Sequence, residues 1–238
     1  MQKSLFLLSC LASCLQAVGN SELTENAFSL RGDFAYFKRE QGSQHKLIID
    51  SAISDCSCHY KSCTTKELLH HVPFEPGFSV GVSYTTGHSV WDLSYLWIRD
   101  WKEDCSRSSA TNSLIFSVQN PGITSDFYGA SEGRAKFSCL FQNCVLNYVR
   151  YPEMRYSNYF SSAYVLGIRY MNLDENLTVS MTKGSNTSSY VVRARNHIPA
   201  LQVGGLIAWI PTRTISWDLI GMVGVGLDSG YQKNIFRR

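Results

Sequence analysis

Apolar and polar positions alternate along much of this chain, and the alternation is clearest on either side of Pro211-Thr212-Arg213. A period of two residues predicts β-strands, so this segment predicts two strands joined by a turn. Each arm spans about ten residues, which is near the length of a tilted membrane strand. The apolar positions of the two arms are Leu201, Val203, Ile207, Trp209, Ile215, Trp217, Leu219, Val223, Val225 and Leu227. The pattern predicts a hairpin with one apolar face and one polar or small face.

The same pattern recurs upstream and predicts seven long strands. They are Phe28–Tyr36, Phe78–Thr85, Trp91–Trp97, Phe137–Tyr151, Tyr164–Met181, Leu201–Trp209 and Ile215–Leu227. Between Asn172 and Glu175 the apolar phase slips by one residue, which predicts a bulge or the point where the strand leaves a membrane. Bacterial membrane barrels have an even number of strands, so an eighth strand is expected. It is formed within Leu47–Ile53 or within Leu114–Val118, or it has been lost by truncation of the chain.

The predicted connections sort into two classes that alternate along the chain. The short ones are Thr86–His88, Pro152–Arg155 and Pro211–Arg213; the longer ones are Glu40–Glu75, Lys102–Arg134 and the Lys183 region. Short turns on one side and long loops on the other are typical of an antiparallel transmembrane β-barrel, here of about eight strands, with periplasmic turns and extracellular loops. A soluble sandwich has no reason to sort its loops in this way.

Side chains on the two predicted faces have different expected roles. Those beside the short turns are candidates for an interfacial aromatic belt: Tyr84, Trp91, Trp209 and Trp217. Those on the polar face are candidates for lining a pore: Arg31, Asp33, Asp92, Arg169, Gln202 and Asp218. Charges of both signs in a lumen tune ion selectivity. The alternative is that they pair as salt bridges inside a small barrel filled by side chains.

The N-terminal residues predict export. Lys3, the short apolar run Ser4–Ala12 and the small residues after it match a signal peptide over 1–19, which leaves 20–238 as the barrel domain. A lipid anchor on Cys14 is the alternative. An oxidising compartment favours disulfides among the remaining cysteines, whose pairing stays open. These candidates are Cys56, Cys58, Cys63, Cys105, Cys139 and Cys144.

Several classes of function are not expected from the sequence. The formal net charge of +3 is too small to indicate a nucleic-acid partner. The clustered Cys and His residues match no standard zinc spacing, so neither a metal nor another cofactor is expected. An enzyme is not expected either, because no Gly-x-Ser-x-Gly or His-Glu-x-x-His motif accompanies the candidate groups. Those groups are His70, His71, Asp100, Asp104 and His197.

Three segments resemble known outer-membrane proteins. PGFSVGVSYTTGHSVWDLSYLW (Pro76 to Trp97) resembles the strand-turn-strand of the Legionella-type major outer membrane protein family, also common in environmental chlamydiae. VLGIRYMNLDENLTV (Val165 to Val179) and RNHIPALQVGG (Arg195 to Gly205) resemble the planctomycete-type β-barrel porins. The resemblance implies a pore-forming barrel of the bacterial outer membrane, surrounded by its lipid and inserted by the barrel assembly machinery. A homo-oligomer is an open option.

Two functions follow as expectations. The first is a porin-like barrel that passes small solutes or ions. The alternative is a structural or adhesive surface barrel with cysteine-stabilised loops and no open pore.

Overall fold

The computed structural model describes residues 26–37, 46–51, 63–65, 68, 75–116, 124–152, 160–212 and 215–238. Most of these residues lie in β-strands, and a short 3-10 helix spans Thr124–Phe127. The strands are β1 (Ala27–Phe37), β2 (Lys46–Asp50), β3 (Cys63–Thr64), β4 (Glu75–Thr86), β5 (Ser89–Ser108), β6 (Leu114–Phe116), β7 (Tyr128–Ala130), β8 (Glu132–Arg150), β9 (Phe160–Lys183), β10 (Asn186–Thr212), β11 (Ile215–Gly226) and β12 (Ser229–Arg237). The predicted all-β, antiparallel class is confirmed. None of the described helical residues belongs to a helix that is long and apolar enough to cross a membrane.

The main sheet follows the order β1-β4-β5-β8-β9-β10-β11, and every neighbouring pair is antiparallel. Each long strand therefore pairs with the long strands before and after it in the chain. This is the up-and-down topology that the recurring hairpin pattern predicts.

The last two strands lie end to end along one side of β10. Their register on β10 is continuous, because Ala200 pairs with Gly226 and His197 pairs with Ser229. Between these pairs, Leu227 N donates to Pro199 O at 3.0 Å. Proline has no N–H to complete the second bond of this pair, which explains the gap between the two strands. The C-terminal residues therefore prolong the seventh strand, and they do not form a neighbouring eighth strand.

The predicted closed barrel is not found among the described residues. β1 on one side, and β11 with β12 on the other, have no second partner strand there and form the edges of an open sheet. In an antiparallel series of seven positions the first and the last strand run the same way, so a closed barrel would need a parallel pair between them. An antiparallel ladder cannot join two such strands.

The segments considered for a missing strand belong to a second sheet instead. Leu47–Ile53 supplies β2, and Leu114–Val118 supplies β6, of a four-stranded sheet with the order β3-β2-β6-β7. This small sheet is formed by the chain between β1 and β4 and between β5 and β8. Both predicted long loops therefore contain ordered strands that pair with each other, as Ile49 does with Ile115.

The connections define two ends of the main sheet. At the turn end, Thr86 pairs with Ser89 around Gly87-His88, as predicted, and Gly87 has the positive φ of 53° that favours glycine. At the loop end, the predicted long loop near Lys183 is wrong. Lys183 pairs with Asn186, so Gly184 and Ser185 form a two-residue hairpin turn.

Two predicted turns lie partly outside the described residues. Pro152 is described, whereas 153–159 are not. At the other turn Thr212 pairs with Ile215 around the two residues 213–214, which are not described either. The predicted signal peptide, the Cys14 alternative, Cys56 and Cys58 also lie outside the described residues.

The predicted bulge near Asn172 is wrong. β9 keeps one register with β8 and with β10 through this region. An irregularity occurs elsewhere, between Ile98 and Trp101 of β5. The apolar phase slips near Asn172 because the side of β9 that carries its apolar residues changes from one half of the strand to the other.

Candidate functional site

One face of the main sheet is apolar and exposed from β1 to β11. The register places Leu30, Val82, Leu93, Leu146 and Ile168 opposite one another, and the row continues through Leu201 to Val225. Leu30 is 82% exposed and Val225 is 81% exposed. Soluble monomers rarely expose contiguous apolar patches of more than a few hundred Å². We call this surface the apolar face and the opposite surface the polar face.

All four predicted belt residues lie on the apolar face. Tyr84 pairs with Trp91, and two residues separate each of them from the Gly87-His88 turn. Trp209 pairs with Trp217 near the 213–214 turn. Neighbouring rings extend both groups, with centroid distances of 4.6 Å for Phe28–Tyr84, 4.8 Å for Trp91–Tyr148 and 6.5 Å for Phe160–Trp209. The aromatic side chains therefore form clusters at the turn end of the apolar face.

Five predicted pore-lining residues share the polar face by strand alternation and register: Arg31, Asp33, Asp92, Arg169 and Gln202. Arg31 Nε lies 3.2 Å from Asp33 Oδ2, and Ser83 donates to Asp92 at 2.6 Å. The Asp218 backbone pairs with Ala208, and its side chain lies outside the described set. Of the candidates, Arg31 and Asp33 therefore pair with each other, whereas Asp92 is bound by Ser83, which the sequence analysis did not name.

Gln202 shows how tightly this face is organised. Its side-chain amide donates to Asn147 Oδ1 at 2.6 Å, across the strand that carries Gly167. A Cβ on Gly167 would overlap Asn147 Oδ1 and lie 2.8 Å from Gln202 Nε2. Gln202 is only 5% exposed, so this bond satisfies a buried amide. Sequence reasoning missed Asn147, although its position in an alternating strand gave the correct face.

Replacing Gly167 with Ala is expected to destabilise the folded protein by about 1–3 kcal/mol, because the new methyl group separates the buried amide of Gln202 from its partner Asn147. Gly205→Ala is the matched control on the neighbouring strand, since its nearest contact would be an ordinary 3.6 Å to Ala163 O. Urea unfolding followed by tryptophan fluorescence measures both variants. Equal stability of the two would show that the Asn147–Gln202 bond contributes nothing.

The loop-end half of the polar face is covered by the small sheet. Ile48, Leu114 and Phe127 are buried against Val179 and Met181 of β9. Phe127 also packs edge-on against Phe116 and Phe236, at centroid distances of 5.5 and 5.6 Å. The C-terminal strand is thus anchored to this cluster, which we call the plug core.

The plug core explains the phase slip in β9. Tyr164, Leu166, Ile168 and Tyr170 are exposed on the apolar face, whereas Val179 and Met181 are buried on the polar face. The strand itself is regular, and its apolar residues change face where the small sheet begins to cover it. Sequence analysis missed this packing, although the slip and the apolar segments at Leu47–Ile49 and Leu114–Val118 were its visible signs.

The predicted disulfides receive no support from the described cysteines. Cys63, Cys105, Cys139 and Cys144 carry no disulfide bond, and the first three are buried. Cys63 and Cys105 belong to the plug core, and Cys139 packs with Ile98 and Trp101. At these positions cysteine acts as a small apolar side chain.

Of the polar groups considered for catalysis, the two whose side chains are described, His197 and Asp104, bind different partners. His197 accepts or donates a hydrogen bond with the Tyr170 hydroxyl at 2.7 Å on the apolar side, and Asp104 forms an ion pair with Arg134. His70, His71 and the Asp100 side chain are not described. Within the described ranges, no group of three or more His, Cys, Asp or Glu residues is arranged to hold a metal ion.

No known protein family, curated protein or solved structure matches this chain. The resemblance to outer-membrane proteins therefore stays a prediction, and function is argued from the geometry alone.

Proposed function

We propose that this chain is a bacterial outer-membrane β-barrel protein that contacts lipid through its apolar face and is sealed by its own small sheet. The exposed apolar face carries the proposal. Contact of an apolar surface with lipid is favourable, whereas its exposure to water is unfavourable. In this view the protein is a surface barrel without an open pore, as in the alternative function expected from the sequence, but the described cysteines do not support the cysteine-stabilised loops of that alternative.

The offset between the turns fits the tilt of membrane strands. The row of partners that starts at Ser89 passes through Arg150, Tyr164 and Gly205 and ends at Gly221, 6 residues beyond Ile215. Six residues are about 20 Å along a strand, and the four strand spacings in between are about 19 Å. If both turns lie in one membrane plane, the strands tilt by about 45°, close to the usual range of membrane barrels.

The height of the apolar face fits a bilayer at this tilt. On β9 its exposed side chains run from Phe160 to Tyr170, a rise of 10 residues. That distance is about 33 Å along the strand and about 23 Å along the membrane normal. Membrane barrels present an apolar band about 25 Å tall.

A lipid-embedded sheet has to close, because lipid cannot hydrogen-bond to open strand edges. We infer closure between β1 and β11, which run in the same direction and would meet as a parallel pair. An odd strand number is compatible with a membrane barrel, since a 19-stranded example exists.

The plug core favours a sealed lumen over an open pore. Its apolar packing fills the loop-end half of the polar face, where solutes would enter. An open porin is the second candidate function, because the plug core does not cover the turn-end half of the polar face. There, Arg169 Nε and Asn143 Oδ1 are buried without a hydrogen-bond partner among the described residues. Water in a lumen would supply the missing partners.

Single-tryptophan variants test the insertion of the apolar face. Trp217 is 65% exposed on that face, and Trp101 is 7% exposed on the other side. In vesicles of brominated phosphatidylcholine we expect strong quenching when Trp217 is retained and weak quenching when Trp101 is retained. Both variants are first checked for folding by their change in gel migration on boiling in SDS.

The reverse result would reject membrane insertion. If acrylamide in the water quenches Trp217 and brominated lipid does not, the apolar face is covered by something other than a bilayer.

A further inference from the structure

The C-terminal strand β12 has one neighbouring strand in the part of the chain that the structure describes. It pairs with β10 from Ser189–Arg237 to His197–Ser229, and no described strand pairs with its other side. None of its nine residues is buried. We call the unpaired side of Ser229–Arg237 the β12 edge.

The ladder with β10 shows which backbone groups point to the β12 edge. Leu227 N donates to Pro199 O, and the register continues into β12, so its odd-numbered residues direct their backbone groups toward β10. The even-numbered residues direct theirs to the β12 edge: Gly230, Gln232, Asn234 and Phe236. Each of them offers one N–H donor and one C=O acceptor to an added strand.

In the proposed orientation the β12 edge lies beyond the apolar band. β1 and β11 both start at the turn end and have 11 and 12 residues, so a closed seam between them ends where β11 ends. β12 begins beside His197, whose partner on β9 is Asn172, two residues past the exposed Tyr170. The seam therefore leaves the β12 edge on the loop side, where water can hydrogen-bond to it and another strand can replace the water.

The side chains along β12 are basic on the side that carries the apolar face. Lys233 and Arg237 lie there four residues apart, and Arg193 is the β10 partner of Lys233. All three are exposed and form no ion pair with another described residue. The nearby carboxylates are otherwise placed: Asp174 binds Arg195, Asp126 binds Arg238, and Asp228 lies by strand alternation on the opposite side.

We propose that the β12 edge binds an extended acidic segment of a partner protein as an added antiparallel strand. The partner residues opposite Lys233 and Arg237 then stand in non-hydrogen-bonded pairs, where side chains approach most closely. Carboxylates four residues apart would meet both cations there. Main-chain hydrogen bonds supply affinity in this mode of recognition, and the charges supply selectivity. The site rests on the proposed surface function and adds the class of partner.

A second copy of β12 is a poor occupant of this edge. An antiparallel pair of two β12 strands places cation opposite cation, whether it is centred on Lys233 or on Ile235. Charges on a strand edge prevent like edges from joining in this way. The two-fold axis of such a pair would also orient the two copies in opposite directions across a membrane. A strand that carries carboxylates meets neither obstacle.

Fluorescence anisotropy of a labelled peptide tests the proposal on the full, detergent-folded chain. The probe is Thr-Glu-Thr-Val-Thr-Glu-Thr-Val-Thr, and its match has Gln in place of both Glu residues. Wild type should bind the Glu peptide about tenfold more tightly, the effect of two cross-strand ion pairs. K233Q/R237Q should remove this difference. K136Q/K183Q removes the same charge from β8 and β9 and should keep it.

Asn234→Pro separates strand addition from simple attraction of charges. The Asn234 N–H faces the β12 edge, so proline removes a donor to the partner without removing a bond to β10. The variant should keep the wild-type change in gel migration on boiling, and it should lose binding of both peptides. Asn234→Ala should bind as wild type does.

The contrary results are distinct. Undiminished binding by heat-modifiable N234P, or no binding of the Glu peptide by heat-modifiable wild type at millimolar concentration, would overturn this inference alone. A wild type that is dimeric by light scattering and becomes monomeric as N234P would assign the edge to a second copy and reject the acidic partner. A wild type without the shift on boiling would reject the membrane function, whereas its preference for the Glu peptide would still support the edge.

Discussion

Replacing Leu166 with Arg is expected to destabilise the bilayer-inserted protein by about 2–4 kcal/mol, the cost of a cation facing lipid near the membrane midplane. Leu166 is 56% exposed and lies near the middle of the apolar face, between Tyr148 and Val203. Urea unfolding of the protein refolded into phosphatidylcholine vesicles measures the change in free energy.

The size of the stability change distinguishes a sheet that contacts lipid from a sheet that contacts water. On a water-exposed surface the same substitution changes stability by within about 0.5 kcal/mol. Ser180→Arg is the matched control, because it lies on the same strand and side beyond the apolar band. Equal stability of the two variants would remove the basis for a membrane-embedded face.

Replacing Phe127 with Ala is expected to detach the small sheet from the main sheet. A buried Phe→Ala substitution costs about 3–5 kcal/mol. Phe127 is 1% exposed and contacts aromatic rings of both β6 and β12. Since this packing covers the loop end of the polar face, the variant should become cleavable by protease within 109–131. It should also show conductance steps in a planar bilayer that wild type lacks.

Tyr128→Ala provides the control for this experiment. Tyr128 is the next residue but is 48% exposed, so its truncation should leave both proteolysis and conductance unchanged. Conductance by the unmodified protein would instead support the open porin. An F127A variant that becomes protease-sensitive but shows no conductance steps would indicate that the barrel is also closed on the turn-end side of the plug core.

Alternation in the sequence predicted the strands and their faces well because each long strand pairs with its neighbours in the chain. The two arms around the 213–214 turn pair Trp209 with Trp217 and Leu201 with Val225, as a single hairpin requires. The aromatic candidates, and the pore-lining candidates whose side chains are described, are consequently on the expected faces. Whether those faces contact lipid and enclose a pore does not follow from alternation.

The errors occurred where long-range packing changes the local pattern. Lys183 lies in a polar segment, which resembled a loop, yet the strands continue to a two-residue turn because the plug core packs on their polar face. The cysteines were expected to pair, but three of them are buried among apolar side chains. Neither the pairing of β2 with β6 nor their position on the sheet is visible in the sequence pattern.

The described main sheet has seven strand positions, and this odd number has a consequence for the proposed membrane orientation. β1 begins at the turn end, whereas β12 finishes at the loop end, beside the ion pair of Arg238 with Asp126. In an even-stranded barrel the first and last strands have their outer ends in the same compartment. In the proposed membrane orientation the described ends of β1 and β12 would instead lie on opposite sides of the bilayer, with Arg237 and Arg238 on the loop side.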